Sequence, residues 1–382
     1  MMKLMPVAFS AFCLMLAACG GEPVAGIDVI VVIDVVDAAE VGDAADAVEV
    51  VDVVDVVEVI EVPTSFTIMT FNTGTTDNLD HGGDPDGYTN AFAAISAEYF
   101  GNNLSWLPGR AGLRFVIDTL KPDVVAFQEL FYDPECVDIC AELQMVNPEI
   151  KPAVCDAGGN FVCAVWAEGA ELTVRAAVGP DYAIACAPDH NDNCIAVRKD
   201  FGTLADCVDG PCIGGLDGMK PKNGCNSGAR VATGLVTVTG GPEIAVVDVH
   251  TVVGPDNLDC RVAQLKQVFE DRGDGKPAAF GTHNIVLGDM NIDPFLMSDA
   301  SIKYWNSMVG DDKPFHYLSS ADQSGPDTHP FSFMKLDHVI SDNLTGSCVV
   351  LGVSPDTAAP VSAGSTYFDH RPVFCTVDMP AN

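Results

Sequence analysis

Basic residues are scarce in this chain. Its 382 residues include 19 Lys and Arg against 54 Asp and Glu, a net charge of −35. That balance argues against a wide basic surface for tracking a nucleic-acid backbone. It leaves phosphate chemistry open, because a bound divalent cation reverses the local charge. No Cys-x2-Cys pair occurs, so the commonest ligand spacing of a structural zinc site is missing. The N-terminal apolar run, Leu4 to Ala17, is too short to span a bilayer comfortably. Neither a cluster of basic residues nor an apolar hairpin tip stands out.

What the chain does contain falls into three compositions. The first is MMKLMPVAFSAFCLMLAACGGE, with basic Lys3, an apolar run and small residues, which is the plan of an export signal. Its end, Leu16-Ala17-Ala18-Cys19, resembles the lipobox of bacterial lipoproteins. That resemblance implies removal of residues 1–18 and lipidation of Cys19. The protein would then be exported and lipid-anchored to a bacterial membrane, at the outer membrane or cell surface. The second composition, residues 19–62, is a linker that places an acid at every third position from Asp34 to Glu61. A period of three fits neither helix nor strand but matches polyproline II. Such a charged, self-repelling spacer, if extended at ~3.1 Å per residue, would hold the rest roughly 100 Å from its anchor.

Pro63 begins the third composition, a domain over 63–382. Only 12 acids and one base precede it, so this part is acidic in its own right. It holds twelve cysteines, nine of them between Cys136 and Cys225. An even number in an exported domain points to disulfides. The Gly-, Pro- and Asp-rich stretch of about 132–228 reads as a Cys-rich insertion of long, stapled loops. Cys186 and Cys194 flank a turn-rich stretch and could close a hairpin; the other pairings are not deducible.

Strands are expected in SFTIMTFNTG, VVAFQEL, NCIAVRKDF, ARVATGLVTVTGGPEIAVVDVHT (two, turning at Gly240-Gly241), HNIVLGDMNIDPF, FMKLDHVISDN and RPVFCTVDM. Helices are expected in GRAGLRFVIDTL and DCRVAQLKQVFEDRG. Hairpins interleaved with helices predict an α/β (α+β) four-layer sandwich, two packed mixed sheets flanked by helices.

Five apolar runs stop at polar residues: Asn72, Glu129, His250, Asp289 with Asn291, and Asp337. A sixth cluster, YFDHRP, supplies Asp369 and His370. Carboxylates, amides and histidines converging at one sheet edge suit a hard divalent cation, Mg²⁺ or Mn²⁺. In GDMNID, residues two apart on a strand point the same way, so Asp289 and Asn291 should share the site while Met290 faces the core. Gly288 would let the backbone approach a ligand closely. His338, next to Asp337, should face the core. His81, His190, His283, His316 and His329 read as solvated loop residues. Arg230 could reach a phosphate or sit in a salt bridge. Trp106 and Trp166 read as core.

The ordered fragments MTFNT, VVAFQEL, VVDVHT, RVAQL, VLGDMNID, KLDHVISD and FDHRPV together resemble the endonuclease/exonuclease/phosphatase superfamily, the deoxyribonuclease-I-like fold, over roughly residues 64–380. Phe368 departs from the pattern, which usually has Ser there. The resemblance implies a metal-dependent phosphoester hydrolase. Glu129 would be the main metal ligand, assisted by Asn72 and Asp369. Asp289 would orient or deprotonate the attacking water, and Asn291 would hold a phosphate oxygen. His370, oriented by Asp337, would serve acid–base work, and His250 would stabilise developing charge. The substrate would be a phosphoester. The leading reading is a nuclease-like phosphodiesterase; a sphingomyelinase, phospholipase C-type or phosphoinositide phosphatase activity is the alternative. A catalytically silent surface-binding protein on the same scaffold is a further one. A nuclease would need a groove with scattered Arg and Lys, and a lipid enzyme exposed aromatics on a loop or hairpin. No protein partner is identifiable from the sequence.

Overall fold

The computed structural model describes residues 63–74, 89–95, 103–146, 155, 160–208, 210–218, 225, 229–254, 257–319, 326–352 and 368–380. All lie within one compact unit, 62–382. The N-terminal signal, Cys19, the acidic repeat and His81 fall outside the described residues. No helix among the described residues is long and apolar enough to cross a membrane.

One sheet holds six strands: β1 (Ser65–Asn72), β2 (Val124–Gln128), β3 (Tyr182–Ala187), β4 (His190–Arg198), β12 (Gly346–Val350) and β13 (Val373–Asp378). Their order is β12-β13-β1-β2-β4-β3. The other holds β5 (Gly202–Leu204), β6 (Asp217–Gly218), β7 (Val231–Val238), β8 (Glu243–His250), β9 (Asn284–Asp289), β10 (His316–Tyr317) and β11 (Asp337–Ser341). Here the order is β10-β11-β9-β8-β7-β5, with β6 beside β7. The β1–β2 and β8–β9 pairs are parallel and the rest antiparallel, so both sheets are mixed.

Strand alternation generates three apolar layers. Ile68, Ala126, Ile195, Val246, Leu287 and Val339 meet between the sheets. Met69, Phe71 and Phe127 face outward onto Leu113, Val116 and Ile117 of the helix Leu107–Leu120. On the far side Val247, Val286 and Ile340 pack on Leu265, Val268 and Trp305, from the helices Leu258–Phe269 and Ala300–Met308. Helix, sheet, sheet, helix is the four-layer sandwich expected. Trp106 is buried, and Trp166 packs against the first outer layer.

The helix boundaries follow local chemistry. Pro108 sits in the first turn of Leu107–Leu120, where a missing N–H costs nothing. Lys121 ends that helix in the left-handed conformation, φ +47, and Pro122 blocks its continuation. Asp299 caps Ala300–Met308 by accepting the Ser301 and Ile302 N–H groups.

All twelve cysteines of the domain pair: 136–163, 140–155, 186–194, 207–212, 225–260 and 348–375. The 186–194 pair closes the β3–β4 hairpin anticipated from the sequence. Residues 132–228 are not all loop, because β3 and β4 are strands of the six-stranded sheet. Only Cys225–Cys260 ties this stretch to a helix of the opposite outer layer.

Candidate active site

The space between the sheets is apolar along most of each strand and turns polar at one end. On β1 the inward positions run Phe66, Ile68, Thr70, Asn72; on β8 they run Ile244, Val246, Asp248, His250. Strand pairing then aligns the polar ends. His250 lies opposite Asp289 across the parallel β8–β9 pair, and Asp337 lies opposite Asp289 across β9–β11. Asn72 ends β1 opposite Gln128 on the facing sheet.

Two backbone departures complete the set. Glu129 follows inward-facing Gln128 and would point outward in a regular strand. Its φ of +56 breaks the alternation and turns it into the site. Asn291 is also left-handed, φ +48, and lies beyond the end of β9. Asp289 and Asn291 therefore do not share a face by strand alternation. An Asx turn brings them together: Asn291 N–H donates to Asp289 Oδ1 at 2.8 Å, and Asn291 Nδ2 lies 3.3 Å from Asp289 Oδ2. Left-handed non-glycine residues are strained and tend to cluster at functional sites.

Asn72 Nδ2 bridges the two carboxylates, 3.3 Å from Glu129 Oε1 and 3.0 Å from Asp289 Oδ2, while its Oδ1 accepts the Gly74 N–H. His250 Nε2 is 3.2 Å from Glu129 Oε1 and 4.0 Å from Asp289 Oδ2. His370 Nδ1 bonds Asp337 Oδ2 at 2.8 Å, and its Nε2 stands 3.8 Å from Asp289 Oδ2. Thr328 Oγ1 accepts the Leu336 and Asp337 N–H groups, which fixes the start of β11. All eight residues singled out in the sequence are thus in one place. Glu129, His250, Asp289, Asn291, Asp369 and His370 line a cleft of about 440 Å³, with Asn72 and Asp337 bonded to its lining residues.

The charges are strongly coupled. Burial pushes the Glu129 carboxyl up, but the hydrogen bond and charge of His250 outweigh it and hold the group at about 2. Burial works against the His250 and His370 imidazoliums. Glu129 nevertheless raises the first above its ordinary value, and Asp337 and Asp289 raise the second well above it. Asp289 is pushed up by burial and by the Asp337 charge. Burial also pushes Asp337 up, but His370 overcomes this and holds it down. Glu129, Asp289, Asp337 and Asp369 thus share the site with His250 and His370. Gly74 leaves room beside them, since a Cβ there would lie 2.1 Å from Glu129 Oε2.

Gly288 has a different reason from the one the sequence suggested. Its φ is +137, and a Cβ would meet the Val249 carbonyl oxygen at 2.0 Å. The close approach is to β8, not to a ligand. Met290 and His338 are buried as expected, the latter bonded through Nε2 to the Ile292 carbonyl. Phe368 packs edge-on against Phe71, 4.9 Å between ring centres, and anchors the segment that carries Asp369 and His370.

His329 is not a solvated loop residue. It lines the cleft, stacks edge-on against His370 at 4.8 Å, and places Nε2 3.9 Å from Asp369 Oδ2. Nothing in its sequence neighbourhood marks it. Arg230 is partly buried behind the site and donates to the His250 carbonyl at 3.3 Å. Arg261, also missed, lines the cleft but spends its guanidinium on the Val252 and Gly254 carbonyls. None of the described residues of 132–228 lines the cleft, though the His190 ring centre is 6.3 Å from that of His250.

No protein-family model matches the chain, and no curated protein matches it in sequence. Solved structures show similarity. Humanized D. rerio TDP2 carrying 14 mutations is 15% identical, with a TM-score of 0.46 over 83% of this chain and 100% of that one. The human Nocturnin catalytic domain with bound sulfate is 14% identical, with a TM-score of 0.44 over 83% and 94%. An endonuclease/exonuclease/phosphatase from Beutenbergia cavernae is 14% identical, with a TM-score of 0.46 over 84% and 72%.

Proposed function

We propose that this chain is a divalent-metal-dependent phosphoester hydrolase of the endonuclease/exonuclease/phosphatase superfamily, acting as a phosphodiesterase. The observation that carries the reading is the Asp337–His370–Asp289 row facing Glu129 in one cleft. Four carboxylates face His250 and His370, while burial holds the third imidazole, His329, below its ordinary value; the surplus of negative charge in a buried place is one a divalent cation would offset. Glu129 and Asp369, both lining the cleft, would hold it, with Asn72 aligning Glu129. Mg²⁺ or Mn²⁺ fits these oxygen donors. When bound, it supplies charge neutralisation at phosphorus and polarises the scissile ester.

The chain's own groups then have distinct tasks. Asp289, fixed by Asn72 and Asn291, accepts the proton of the attacking water or orients it. Asp337 holds the His370 Nδ1–H, so that Nε2 faces the reacting phosphate and moves a proton there. His250 Nε2, 3.2 Å from Glu129 Oε1, borders the same space and would stabilise charge on a phosphoryl oxygen by sharing its N–H with it. Asn291, in its strained turn, keeps Asp289 from rotating; its Nδ2 donates to the Thr251 carbonyl at 2.8 Å and lies 3.3 Å from Asp289 Oδ2, so a phosphate oxygen would take the place of the longer of these bonds.

Export fits the six disulfides, which persist in oxidising compartments. We place the protein outside the cytoplasm, tethered through lipid on Cys19.

The test is hydrolysis of bis(p-nitrophenyl) phosphate with EDTA, Mg²⁺ or Mn²⁺. Activity should require metal, and His370→Ala or Asp289→Ala should lower the rate at least ~10²-fold with no rescue by extra metal. Near-normal rates in folded variants would leave the likeness one of fold only.

A further inference from the structure

A third imidazole stands beside the reacting groups without a task in the hydrolysis. His329 opens a tight hairpin before β11, bridged to Met334, with the exposed rings of Phe331 and Phe333 at its tip. Its ring meets the His370 ring edge-on at 4.8 Å, and its Nε2 stands 3.9 Å from Asp369 Oδ2. One donor atom from each of His329, Asp369 and His370 lies within 4.8 Å of the other two. All three residues line the cleft, so an ion reaches them from solvent.

The surroundings hold both rings in place. The Arg371 N–H donates to the Thr328 carbonyl at 2.7 Å, which ties the residue before His329 to the residue after His370. Asp293 is buried; its Oδ1 accepts the Phe295 and Leu296 N–H groups, and its Oδ2 accepts the N–H of Lys335 at the base of the hairpin. The far ring nitrogens are engaged too. His370 Nδ1 bonds Asp337 Oδ2 at 2.8 Å, and His329 Nδ1 lies 2.7 Å from Ser332 Oγ. A metal-binding histidine characteristically has its second nitrogen bonded in this way, which fixes the ring and aims the first one. In both rings Nε2 is the nitrogen on the side of the cleft carboxylates.

The donor set selects the ion. Two imidazoles and one carboxylate with an open side suit Zn²⁺, which takes nitrogen donors at about 2.0–2.1 Å in a tetrahedral shell. Mg²⁺ prefers oxygen donors alone. Neighbouring donors in the tetrahedral shell lie roughly 3.3 Å apart. His329 Nε2 and Asp369 Oδ2, at 3.9 Å, would therefore close by about 0.6 Å, a small side-chain rotation.

We propose that His329, Asp369 and His370 form a Zn²⁺ site that switches the centre off while it is occupied. The ion takes the place of the proton on His370 Nε2 and draws on Asp369, which the hydrolysis needs for its own cation. The inhibitory half rests on the phosphodiesterase reading above; the binding half does not.

The full chain is titrated with Zn²⁺ by calorimetry in saturating Mg²⁺, and with Co²⁺ followed by its visible absorption. It is compared with His329→Phe, which keeps a ring at the edge of His370 but has no donor. The acidic repeat is common to both proteins, so weak binding to it cancels. The Zn²⁺ Kd should rise at least ~10-fold in the variant, and the intense Co²⁺ bands of a four-coordinate site should fade. A Kd unchanged within twofold overturns the site; if His329→Phe does not fold, His329→Gln is read by the same criterion. Zn²⁺ is then added to the Mg²⁺-supported hydrolysis of bis(p-nitrophenyl) phosphate, each protein compared with its own Mg²⁺ rate. Half-inhibition should need at least ~10-fold more Zn²⁺ in the variant. Inhibition at the same Zn²⁺ in both overturns the switch, as does hydrolysis that Zn²⁺ alone supports at the Mg²⁺ rate. If neither protein hydrolyses anything, the phosphodiesterase reading has failed, and the calorimetry still decides the site.

Discussion

Gly74→Ala isolates the metal-holding geometry without removing a polar group. The added Cβ would lie 2.1 Å from Glu129 Oε2 and 2.9 Å from Asn72 Oδ1. Ordinary contact requires at least about 3.4 Å, so Glu129 must retreat by roughly 1.3 Å. The clash is with a carboxylate tip rather than with backbone, so the fold should survive. The carboxylate, however, is held by His250 and Asn72 and cannot move without loosening both. Disturbing the groups that orient a metal ligand costs about 10–100-fold in affinity, which is about 1.4–2.8 kcal/mol. The assay is calorimetric titration of Mn²⁺ together with hydrolysis rate against metal concentration. The apparent metal Kd should rise by that factor, and the rate at saturation should largely recover. A Kd unchanged within twofold would refute the placement of the cation at Glu129.

Gly288→Ala should destabilise the fold rather than weaken metal binding: its φ of +137 alone costs roughly 1–3 kcal/mol, and the Cβ meets the Val249 carbonyl. Its thermal midpoint should drop with or without metal, and an unchanged midpoint would contradict this. Asp337→Asn should reduce turnover less than His370→Ala, because the imidazole stays but loses the charged partner at 2.8 Å; steady-state kinetics of both variants decide. The metal-free protein should show a bell-shaped contribution from the Glu129–His250 pair. Glu129 sits at about 2 instead of 4.5, so its contribution is present above pH 4.5 and is lost as pH falls through 2. His250 is raised above 6.5, so its contribution is complete below 6.5 and is lost as pH rises through the raised value. In EDTA, the difference in thermal midpoint between parent and His250→Gln should be largest between pH 4.5 and 6.5; a difference that grows above pH 7 would refute the pairing.

The sequence carried the strand ends well because register does the rest. Once His250, Asp289 and Asp337 each close an apolar run, pairing of β8, β9 and β11 must set them side by side. Alternation alone then mispredicts Glu129 and gives the right place for Asn291 by the wrong route. Both reach the site through a left-handed backbone, which the residue type foreshadows for the asparagine but not for the glutamate. The strand β12 and the helix Ala300–Met308 were hidden for a simpler reason. The strand, GSCVV, is mostly exposed, with little alternation to read. The helix ASIKYWNSM has a strong Asp299 cap but only a narrow apolar stripe.

His329 and the aromatic tip teach a different lesson, one about pairing between loops. Neither Pro330 nor the Phe-Ser-Phe that follows signals a hairpin. The structure makes one because Asp293, 42 residues before Lys335, takes the Lys335 N–H and two N–H groups of its own loop. Asp293, to which the sequence assigned no role, is the clamp joining the two loops. The same buried group therefore stands between the charged centre proposed to cleave a phosphoester and the exposed Phe295 and Leu296 of its own loop.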